Sequence, residues 1–408
     1  MTIFRSLSHR SFAMLWSGQT ISRLGDSLYA IARAWWVLEA TGSAAAMGLV
    51  LICGTIPNLV FLLLGGVAVD RFPRLRLMLA SDLVRGIAVG LVALLAFQHW
   101  LALWHLCLLS AIAGVMRAFF YPAYTAVIPD LIPSESRPSA NSLRSISAQL
   151  AQIVGPGIGA GIVALGGTSL AFALDALSYF ISAGCIVAIP AIPTRRRSPS
   201  AAASSPKSSV FQDARTGIIA VLQSPWLWIT IGIACFSNIT MSGPLEAVEP
   251  LLVEQRLGGN VAIYALLTSL SAISALIAAA WLGSFKRLRH RGLLTYGGWL
   301  AASLMVLAMG LPIGIVGVSL AVFISGAGLT ALGLVWTNTL QELVPPDLLG
   351  RVSSIDALGS SALEPVGYAL AGSAADWLGA APVFVLGGAI STGLITLGLL
   401  HPAVRAVD

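Results

Sequence analysis

Long apolar runs separated by short polar breaks occupy most of the chain. Each run has about 20 residues or slightly more, the length that an α-helix needs to cross the hydrocarbon core of a bilayer. The pattern predicts twelve membrane-spanning helices, at residues 11–37, 44–69, 77–97, 101–127, 140–165, 168–190, 225–248, 260–283, 292–311, 314–339, 352–374 and 380–400. Little of the chain remains outside these runs, so we expect an all-α polytopic membrane protein rather than an enzyme.

Charge is scarce and unevenly placed. Only 10% of the 408 residues are charged and 57% are hydrophobic, whereas soluble domains carry about 25% charged residues. The basic residues fall in alternate loops, which stay in the cytoplasm under the positive-inside rule. They are Arg5, Arg10, Arg71, Arg74, Arg76, Arg137, the stretch 195–215, the stretch 286–291, Arg351 and Arg405. We therefore expect a multi-pass protein of the cell inner (plasma) membrane with both termini cytoplasmic. Topology accounts for the net charge of +6, so we expect no nucleic-acid partner.

The two halves of the chain resemble each other. Residues 129–143, PDLIPSESRPSANSL, match residues 341–355, QELVPPDLLGRVSSI, at an offset of 212 positions. A Ser-, Ala- and Pro-rich stretch between the halves is typical of a flexible linker. The sequence predicts a six-helix bundle over 1–190, a cytoplasmic linker over 191–224 and a second six-helix bundle over 225–408. Repeated bundles of this kind are typical of transporters, whose substrates bind near the repeat interface.

A glycine and an acid stand four residues apart at the end of the second predicted span, in the stretch G-V-A-V-D-R-F-P-R. This stretch resembles the G-x-x-x-D-R-x-G-R signature of the major facilitator superfamily, with Pro73 at the usual glycine and Leu75 at a usual basic residue. The resemblance implies a cytoplasmic gate motif formed by Gly66, Asp70, Arg71 and Arg74. The alternative is an ordinary basic loop that contains one acid.

A second stretch, G-P-G-I-G-A-G at 155–161, is similar to the G-P-x-x-G-G motif of exporters in this superfamily. The glycines Gly155 and Gly159 allow close helix packing, and Pro156 removes one backbone hydrogen bond. Generic glycine packing is the alternative. The whole chain resembles the drug:proton antiporter branch with macrolide-efflux and enterobactin-exporter relatives, which implies the twelve-helix facilitator fold and proton-coupled export.

Ionisable residues inside predicted spans are the main functional evidence, because a charge at the bilayer centre costs about 2.5–3.5 kcal/mol on insertion scales. Arg23, Asp26 and Arg33 share one face of the first span. The proton affinity of an acid there depends on its burial and on neighbouring charges, so a conformational change could alter it. We therefore expect Asp26 to carry a proton; a permanently ionised Asp26 that fixes helix packing is the alternative.

Aromatic residues accompany a cation in the fourth span, where Arg117, Phe120, Tyr121 and Tyr124 form a candidate cargo wall. Aromatic faces bind flat apolar or cationic molecules, and Arg117 could pair with an anionic group. Packing is the alternative for the aromatics. Trp336 and Asn338 in the tenth span are candidates for the same substrate cavity, together with Arg23 and Arg33.

Other acids lie in or near the predicted spans of both halves. Glu364, near the middle of the eleventh span and just before Pro365, is a second proton-coupling candidate; a neutral structural Glu364 is the alternative. Glu246 and Glu249 lie near the outer end of the seventh span, where interfacial solvation is favoured over a proton antenna. Asp82 and Arg85, three residues apart, predict a local ion pair. Asp175 is predicted to be structural.

These features favour a secondary transporter that exports a small amphipathic organic molecule, such as a drug or siderophore, by alternating access coupled to protons. The rivals are a facilitator-fold importer or lipid transporter and, from another class, a non-transporting membrane receptor or scaffold. The sequence contains no P-loop, HExxH or nucleophile-elbow pattern. We accordingly expect no catalytic residue, cofactor or metal, and a monomer in contact with the lipid bilayer.

Overall fold

A computed structural model describes residues 4–190, 210–285 and 290–407, apart from the side chains of residues 63, 70, 210–214, 346 and 347. Within these ranges the regular structure is helical throughout. The helices are α1 (Arg10–Thr41), α2 (Ala44–Arg71), α3 (Arg74–Phe97), α4 (Leu103–Leu131), α5 (Arg137–Val187), α6 (Val210–Gln223), α7 (Pro225–Gly243), α8 (Glu249–Arg256), α9 (Val261–Gly283), α10 (Arg291–Met309), α11 (Gly314–Leu343), α12 (Pro346–Ser361), α13 (Glu364–Leu378), α14 (Ala380–Leu400) and α15 (Pro402–Arg405).

Short helices of other types join some of these elements. One turn of 3₁₀-helix, Arg5–Ser8, precedes α1, and another, Ser134–Ser136, precedes α5. A π-helical segment, Pro244–Val248, connects α7 to α8. The α1–α2 corner is built by Gly42, which has φ of +61°, and by Ser43, whose Oγ accepts a hydrogen bond from the Ala46 amide at 3.0 Å. A left-handed glycine and a serine cap are the residues that favour such a corner.

Nine segments of the described chain are long and apolar enough to cross a membrane. One of them, Ser134–Val187, contains α5, whose 51 residues would extend about 75 Å if straight. That length exceeds a bilayer, and Gly167, with φ of +73°, interrupts the helix between the predicted fifth and sixth spans. The predicted first and eleventh spans correspond to α1 and to α12 with α13. Twelve crossings remain the prediction.

The predicted linker is partly helical. Residues 191–209 lie outside the described residues, but residues 210–223, which we expected to be flexible, form α6. Val221 near the end of α6 is buried with Val344 and Val352, and a Cβ at Gly217 would meet Arg351 and Ile355. The expectation of a flexible chain over 210–223 is wrong because an apolar face of this segment packs on α12.

The described chain divides into two compact units. The N-terminal unit contains Met1–Thr194 and Gly258–Ser269, and the C-terminal unit contains Arg195–Leu257 and Leu270–Asp408. Glycines bring α1 close to α5 in the N-terminal unit: a Cβ at Gly18 would meet Ser182 and Cys185, and one at Gly25 would meet Asp175 and Ser178. Small residues allow this approach, as in many membrane helix pairs.

The interior of the C-terminal unit is assembled in a similar way. Its α10 and α11 approach each other at Gly298 and Gly328, where an added Cβ on either glycine would meet the carbonyl oxygen of the other. Many large apolar side chains of both units remain exposed, among them Leu165, Val316 and Trp377. An apolar surface of this extent is unfavourable in water and is suited to contact with lipid.

Candidate functional site

Asp26 lies on α1 with its side chain exposed, and its carboxylate accepts a hydrogen bond from the Tyr179 hydroxyl at 2.5 Å. Tyr179 itself is buried and belongs to the second half of α5, after Gly167. The acid that was predicted from its charge therefore has a buried partner on another helix. A change at the exposed carboxyl can be transmitted to the interior of the N-terminal unit through this hydroxyl.

Behind Tyr179 lies the buried guanidinium of Arg85. Arg85 stands over the rings of Phe120 and Tyr179, at 4.4 and 4.5 Å from their centroids, and its Nη2 donates to Asp82 Oδ1 at 2.5 Å. Its Nη1 also donates to the Tyr179 hydroxyl oxygen at 3.5 Å. The predicted Asp82–Arg85 ion pair is confirmed. Aromatic faces and a carboxylate together replace the water that the cation loses on burial.

The second oxygen of Asp82 is also satisfied. Ser182 donates to Asp82 Oδ2 at 2.7 Å, Gln19 donates to the same oxygen at 3.5 Å, and Gln19 donates to the Ser182 Oγ at 2.7 Å. Gln19 lies on α1, so these hydrogen bonds link α3 and α5 back to the helix that carries Asp26. We call this set the Asp26 network; its members are Gln19, Asp26, Asp82, Arg85, Tyr179 and Ser182. It joins α1, α3 and α5 through polar contacts in an otherwise apolar interior.

Asp175 lies beside the network and is fully buried. Its Oδ1 accepts from Ser178 at 3.3 Å, whereas its Oδ2 has no hydrogen-bond partner among the described residues. Close packing against Gly25 brings this carboxyl next to the backbone of α1, one residue before Asp26. A buried oxygen without a partner is costly, so Asp175 is a second acid at this site whose hydrogen bonding is incomplete among the described residues.

The other ionisable residues predicted for the first span contact aromatic rings. Arg23 stands 5.9 Å from the centroid of Tyr124, and Arg33 stands 5.6 Å from the centroid of Tyr29. The structure describes no ion pair between either arginine and Asp26; the three charged pairs that it describes lie elsewhere. The shared face of α1 therefore presents separate cation–π contacts around the acid.

The predicted cargo wall of α4 is divided between two environments. Phe120 and Tyr124 are buried in the core of the N-terminal unit, with their rings stacked at 5.9 Å, whereas Arg117 is exposed and Tyr121 is 61% exposed. The expectation that all four residues form one surface is wrong. The helical spacing predicts one broad face, but Phe120 packs in the interior beneath the guanidinium of Arg85, which lies on α3. Arg117 and Tyr121 remain accessible for a ligand.

In the C-terminal unit, Trp336 is held by two contacts. Its Nε1 donates to Asp356 at 3.0 Å, and its ring meets that of Trp226 edge-on at 5.6 Å between centroids. Asn338 is exposed on the same helix, α11. Glu364 begins α13 with its side chain half-buried. Their predicted roles as cavity and proton-coupling residues stay predictions.

The predicted gate motif spans the end of α2 and the start of α3. A Cβ at Gly66 would meet no described atom within 4 Å, whereas one at Gly65 would collide with the Ala118 carbonyl group, so the close helix approach is made at Gly65, one residue before the motif. Arg71 is exposed, and the side chain of Asp70 lies outside the described part of the chain.

Arg74, the remaining member of the gate motif, is the first residue of α3 and makes contacts with the end of α4. Its Nη1 donates to Asp130 at 2.5 Å and to the Ala126 carbonyl oxygen at 2.8 Å. The pair is one-third exposed on both sides. Arg74 therefore joins two helices of the N-terminal unit at their predicted cytoplasmic ends.

The glycine-rich motif of α5 packs against α1. A Cβ at Gly155 would collide with Ser27, and Gly159 lies in ordinary contact with Leu28 and Ile31. Pro156, the residue after Gly155, is buried. Ser27 in turn donates to the Ala151 carbonyl oxygen at 3.2 Å. The motif thus fixes the segment of α1 that carries Asp26.

Sequence reasoning missed the part that α5 plays in this site. Ser178 and Tyr179 lie three and four residues after Asp175, and Ser182 lies four and three residues after them, which places all four along one face of a helix. That polar stripe inside an apolar run was the available signal. The described residues include no cluster of three or more His, Cys, Asp or Glu side chains suited to a metal ion.

The chain is similar to known membrane transporters over most of its length. A family model described as Major Facilitator Superfamily matches residues 15–367. Macrolide efflux protein A of Streptococcus pyogenes is 26% identical over 97% of this chain and 96% of its own. Enterobactin exporter EntS of Escherichia coli O1:K1 is 27% identical over 96% of this chain and 91% of its own. The solved structure of the nucleoside transporter NupG, 11% identical, matches with a TM-score of 0.75 over 95% of this chain and 98% of that one, which shows a common fold.

Proposed function

Because the chain belongs to the Major Facilitator Superfamily, we propose that this multi-pass membrane transporter exports a small amphipathic organic molecule in exchange for protons. Two of the relatives are named as exporters, one for a macrolide and one for enterobactin. We place the protein in the cell inner (plasma) membrane as a monomer, with both termini in the cytoplasm, in accord with the distribution of basic loops.

The observation that carries this proposal is the Asp26 network. An exposed acid and a buried Asp82–Arg85 ion pair share one hydroxyl, that of Tyr179. A proton that arrives at Asp26 removes the charge that the Tyr179 hydroxyl faces, and the hydrogen bonds on both sides of Tyr179 must then rearrange. Proton binding on α1 is in this way coupled to the packing of α3 and α5.

Alternating access requires that cargo and proton favour different conformations. Under reciprocal linkage, cargo weakens proton binding by the factor by which protons weaken cargo binding. We assign Arg117 and Tyr121 to cargo contact because both are exposed on α4. A guanidinium beside an aromatic ring suits an amphipathic molecule that carries an anionic or aromatic group.

Transport by the purified protein in sealed vesicles tests the proposal. We expect a macrolide to move against its gradient when a pH gradient is imposed, and Asp26→Asn to abolish this movement while passive exchange continues. Glu39→Gln is the matched control, since Glu39 is an exposed acid on the same helix whose partner, Trp35, lies outside the Asp26 network. A transport rate that does not depend on the pH gradient would contradict proton coupling. Gradient-driven transport of the macrolide in the opposite direction would favour an importer.

A further inference from the structure

The seventh predicted span is not a continuous α-helix. After Gly243 the chain passes through the π-helical segment Pro244–Val248 and resumes as α8 at Glu249. Two prolines, Pro244 and Pro250, lie at the junctions and donate no backbone hydrogen bond. π-helical turns are rare and are frequently found at functional sites. The segment contains Glu246, and Glu249 follows it as the first residue of α8.

A neighbouring helix breaks at a matching level. The chain leaves α12 after Ser361 and begins α13 at Glu364, directly before Pro365. The Asn238 side chain on α7 donates to the Ser360 carbonyl oxygen at 2.8 Å, which satisfies one of the carbonyl groups that a helix end leaves free. In the predicted eleventh span, too, the backbone is interrupted next to an acid.

Two contacts hold the interrupted helices in register. Asn238 contacts Ser360, and the Tyr368 hydroxyl donates to Glu246 at 2.9 Å; both contacts join residues 122 positions apart. The helices therefore run parallel, and Glu364 lies between the two contacts. Closely packed backbones support this register, since a Cβ at Gly243 would collide with the Gly367 carbonyl oxygen. In transporters, discontinuous helices commonly form the sites for coupling ions and substrates.

Glu249 occupies an unusual position in this arrangement. Its side chain is 9% exposed, and the structure describes neither a hydrogen bond nor an ion pair to its carboxyl group. Glu246, three residues earlier, is exposed. The two acids that sequence reasoning placed together at the interface therefore have opposite environments. A carboxyl with so little exposed surface and no hydrogen-bond or ion-pair partner among the described residues is a candidate for proton binding.

No nearby cation changes this conclusion. Besides its chain neighbours α7 and α8, the π-helical segment contacts α13 and α14. Helix α14 contains no ionisable side chain, and the ionisable side chains of α13 are acids and a tyrosine. The ionisable groups on the surrounding elements are Cys235 on α7, Glu246 and Glu254 and Arg256 on the same chain segment, and Glu364, Tyr368 and Asp376 on α13. Arg256, the one cation in this set, is exposed at the end of α8.

We propose that Glu249 is a proton-binding carboxyl of the C-terminal unit, and that the exposed Glu246, held by Tyr368, exchanges this proton with solvent. Proton binding by Glu249 follows from its own surroundings; its use in transport rests on the proposed proton-coupled export. The site is separate from the Asp26 network, because its residues belong to the other compact unit. Two acids in two units would let the carrier bind a second proton in each cycle.

Infrared difference spectroscopy of the purified, reconstituted protein tests proton binding without any cargo. We expect the acid-minus-alkaline spectrum to contain the carbonyl stretching band of a protonated carboxyl in an apolar environment. Glu249→Gln should remove this band component, and the matched control Glu254→Gln, an exposed acid on the same helix, should retain it. Retention of the band in Glu249→Gln, or equal loss in both variants, would overturn the proposal.

Two further measurements keep the test decisive. If Glu249→Gln does not give folded protein, Glu249→Asp keeps a carboxyl and should move the band; an unmoved band would overturn the proposal. The vesicle assay then separates the two hypotheses. If wild-type transport is driven by the pH gradient but Glu249→Gln keeps the band, only the role of Glu249 is refuted. If Glu249→Gln loses the band but wild-type transport does not depend on the pH gradient, the proton site is supported and coupled export is refuted.

Discussion

Arg85 and Asp82 are the two buried charges of the Asp26 network, and each contact of Arg85 offsets part of the cost of removing a cation from water. Asp82 supplies the opposite charge, while Phe120 and Tyr179 present their ring faces. The same geometry makes the pair vulnerable, because loss of one partner leaves the other charge buried and uncompensated.

Replacement of Asp82 by Asn should therefore destabilise the protein strongly. Removal of one partner from a buried ion pair costs about 3–5 kcal/mol, and Asp82 is fully buried. Asp130→Asn breaks the Arg74–Asp130 pair, which is 34% exposed on both sides, and should cost about 1 kcal/mol or less. The free energy of unfolding in detergent, measured by denaturant titration, compares the two variants. Equal losses would contradict the assignment of Asp82 to the interior.

Tyr179→Phe should uncouple transport from protons without unfolding the protein. The variant keeps the ring that faces Arg85 but removes the hydroxyl that joins Asp26 to Arg85. A hydrogen bond to a charged group contributes about 1.5–3 kcal/mol, so gradient-driven transport should fall by about tenfold or more. Passive exchange of cargo should remain, as measured in the same vesicles. Unchanged driven transport would show that the hydroxyl does not couple Asp26 to Arg85.

Sequence alone could identify Asp26 but not its partners. An acid in an apolar run is conspicuous, because its insertion is costly wherever it points. The contacts with Tyr179, Asp82 and Ser182 depend on which faces of α1, α3 and α5 meet, and hydropathy carries no information about that choice. The local Asp82–Arg85 pair could be predicted because both residues lie on one helix.

At the scale of helices, the length of the apolar runs predicted where the helices lie but did not predict where they are interrupted. The fourth span, expected at 101–127, is α4 at Leu103–Leu131. The π-helical segment at Pro244–Val248 and the break before Glu364 do not change local hydropathy, so the apolar pattern could not reveal them. Helix α6 was missed for a different reason, since the Ser- and Ala-rich residues before it dominate the composition of that stretch.

The glycine motif offers a sharp test of packing between α1 and α5. Gly155→Ala should place a methyl group against Ser27 and cost about 1–3 kcal/mol through overpacking. Gly157→Ala, two residues along the same helix, adds its methyl group where no described atom lies within 4 Å and should be nearly neutral. Thermal unfolding of the two purified variants makes the comparison. A stable Gly155→Ala together with a destabilised Gly157→Ala would mean that α5 presents a different face to α1.

At the scale of the whole chain, the internal repeat extends from sequence to ion pairing. Helices α4 and α11 begin 211 positions apart and end 212 positions apart. Arg74–Asp130 has a counterpart in Arg291–Glu342, and Glu342 follows Asp130 by the same 212 positions. The functional sites do not repeat: the position 212 residues after Asp26 is Asn238, which binds the broken end of α12. The two units thus share a scaffold, with a charged network in one and interrupted helices in the other.

The predicted topology can be tested by labelling, because six predicted crossings per half would return the chain to the side where it began. After replacement of the four native cysteines, Ser204→Cys in the predicted linker should react with a membrane-impermeant maleimide only in permeabilised cells. Gln98→Cys, in the exposed loop between α3 and α4, should react in intact cells. The positive-inside rule predicts that the basic residues of the linker keep it in the cytoplasm, whereas the loop at Gln98 carries no lysine or arginine. Each variant controls for reagent access in the other: the reverse pattern would invert the topology, and labelling of both from one side would contradict an odd number of spans between them.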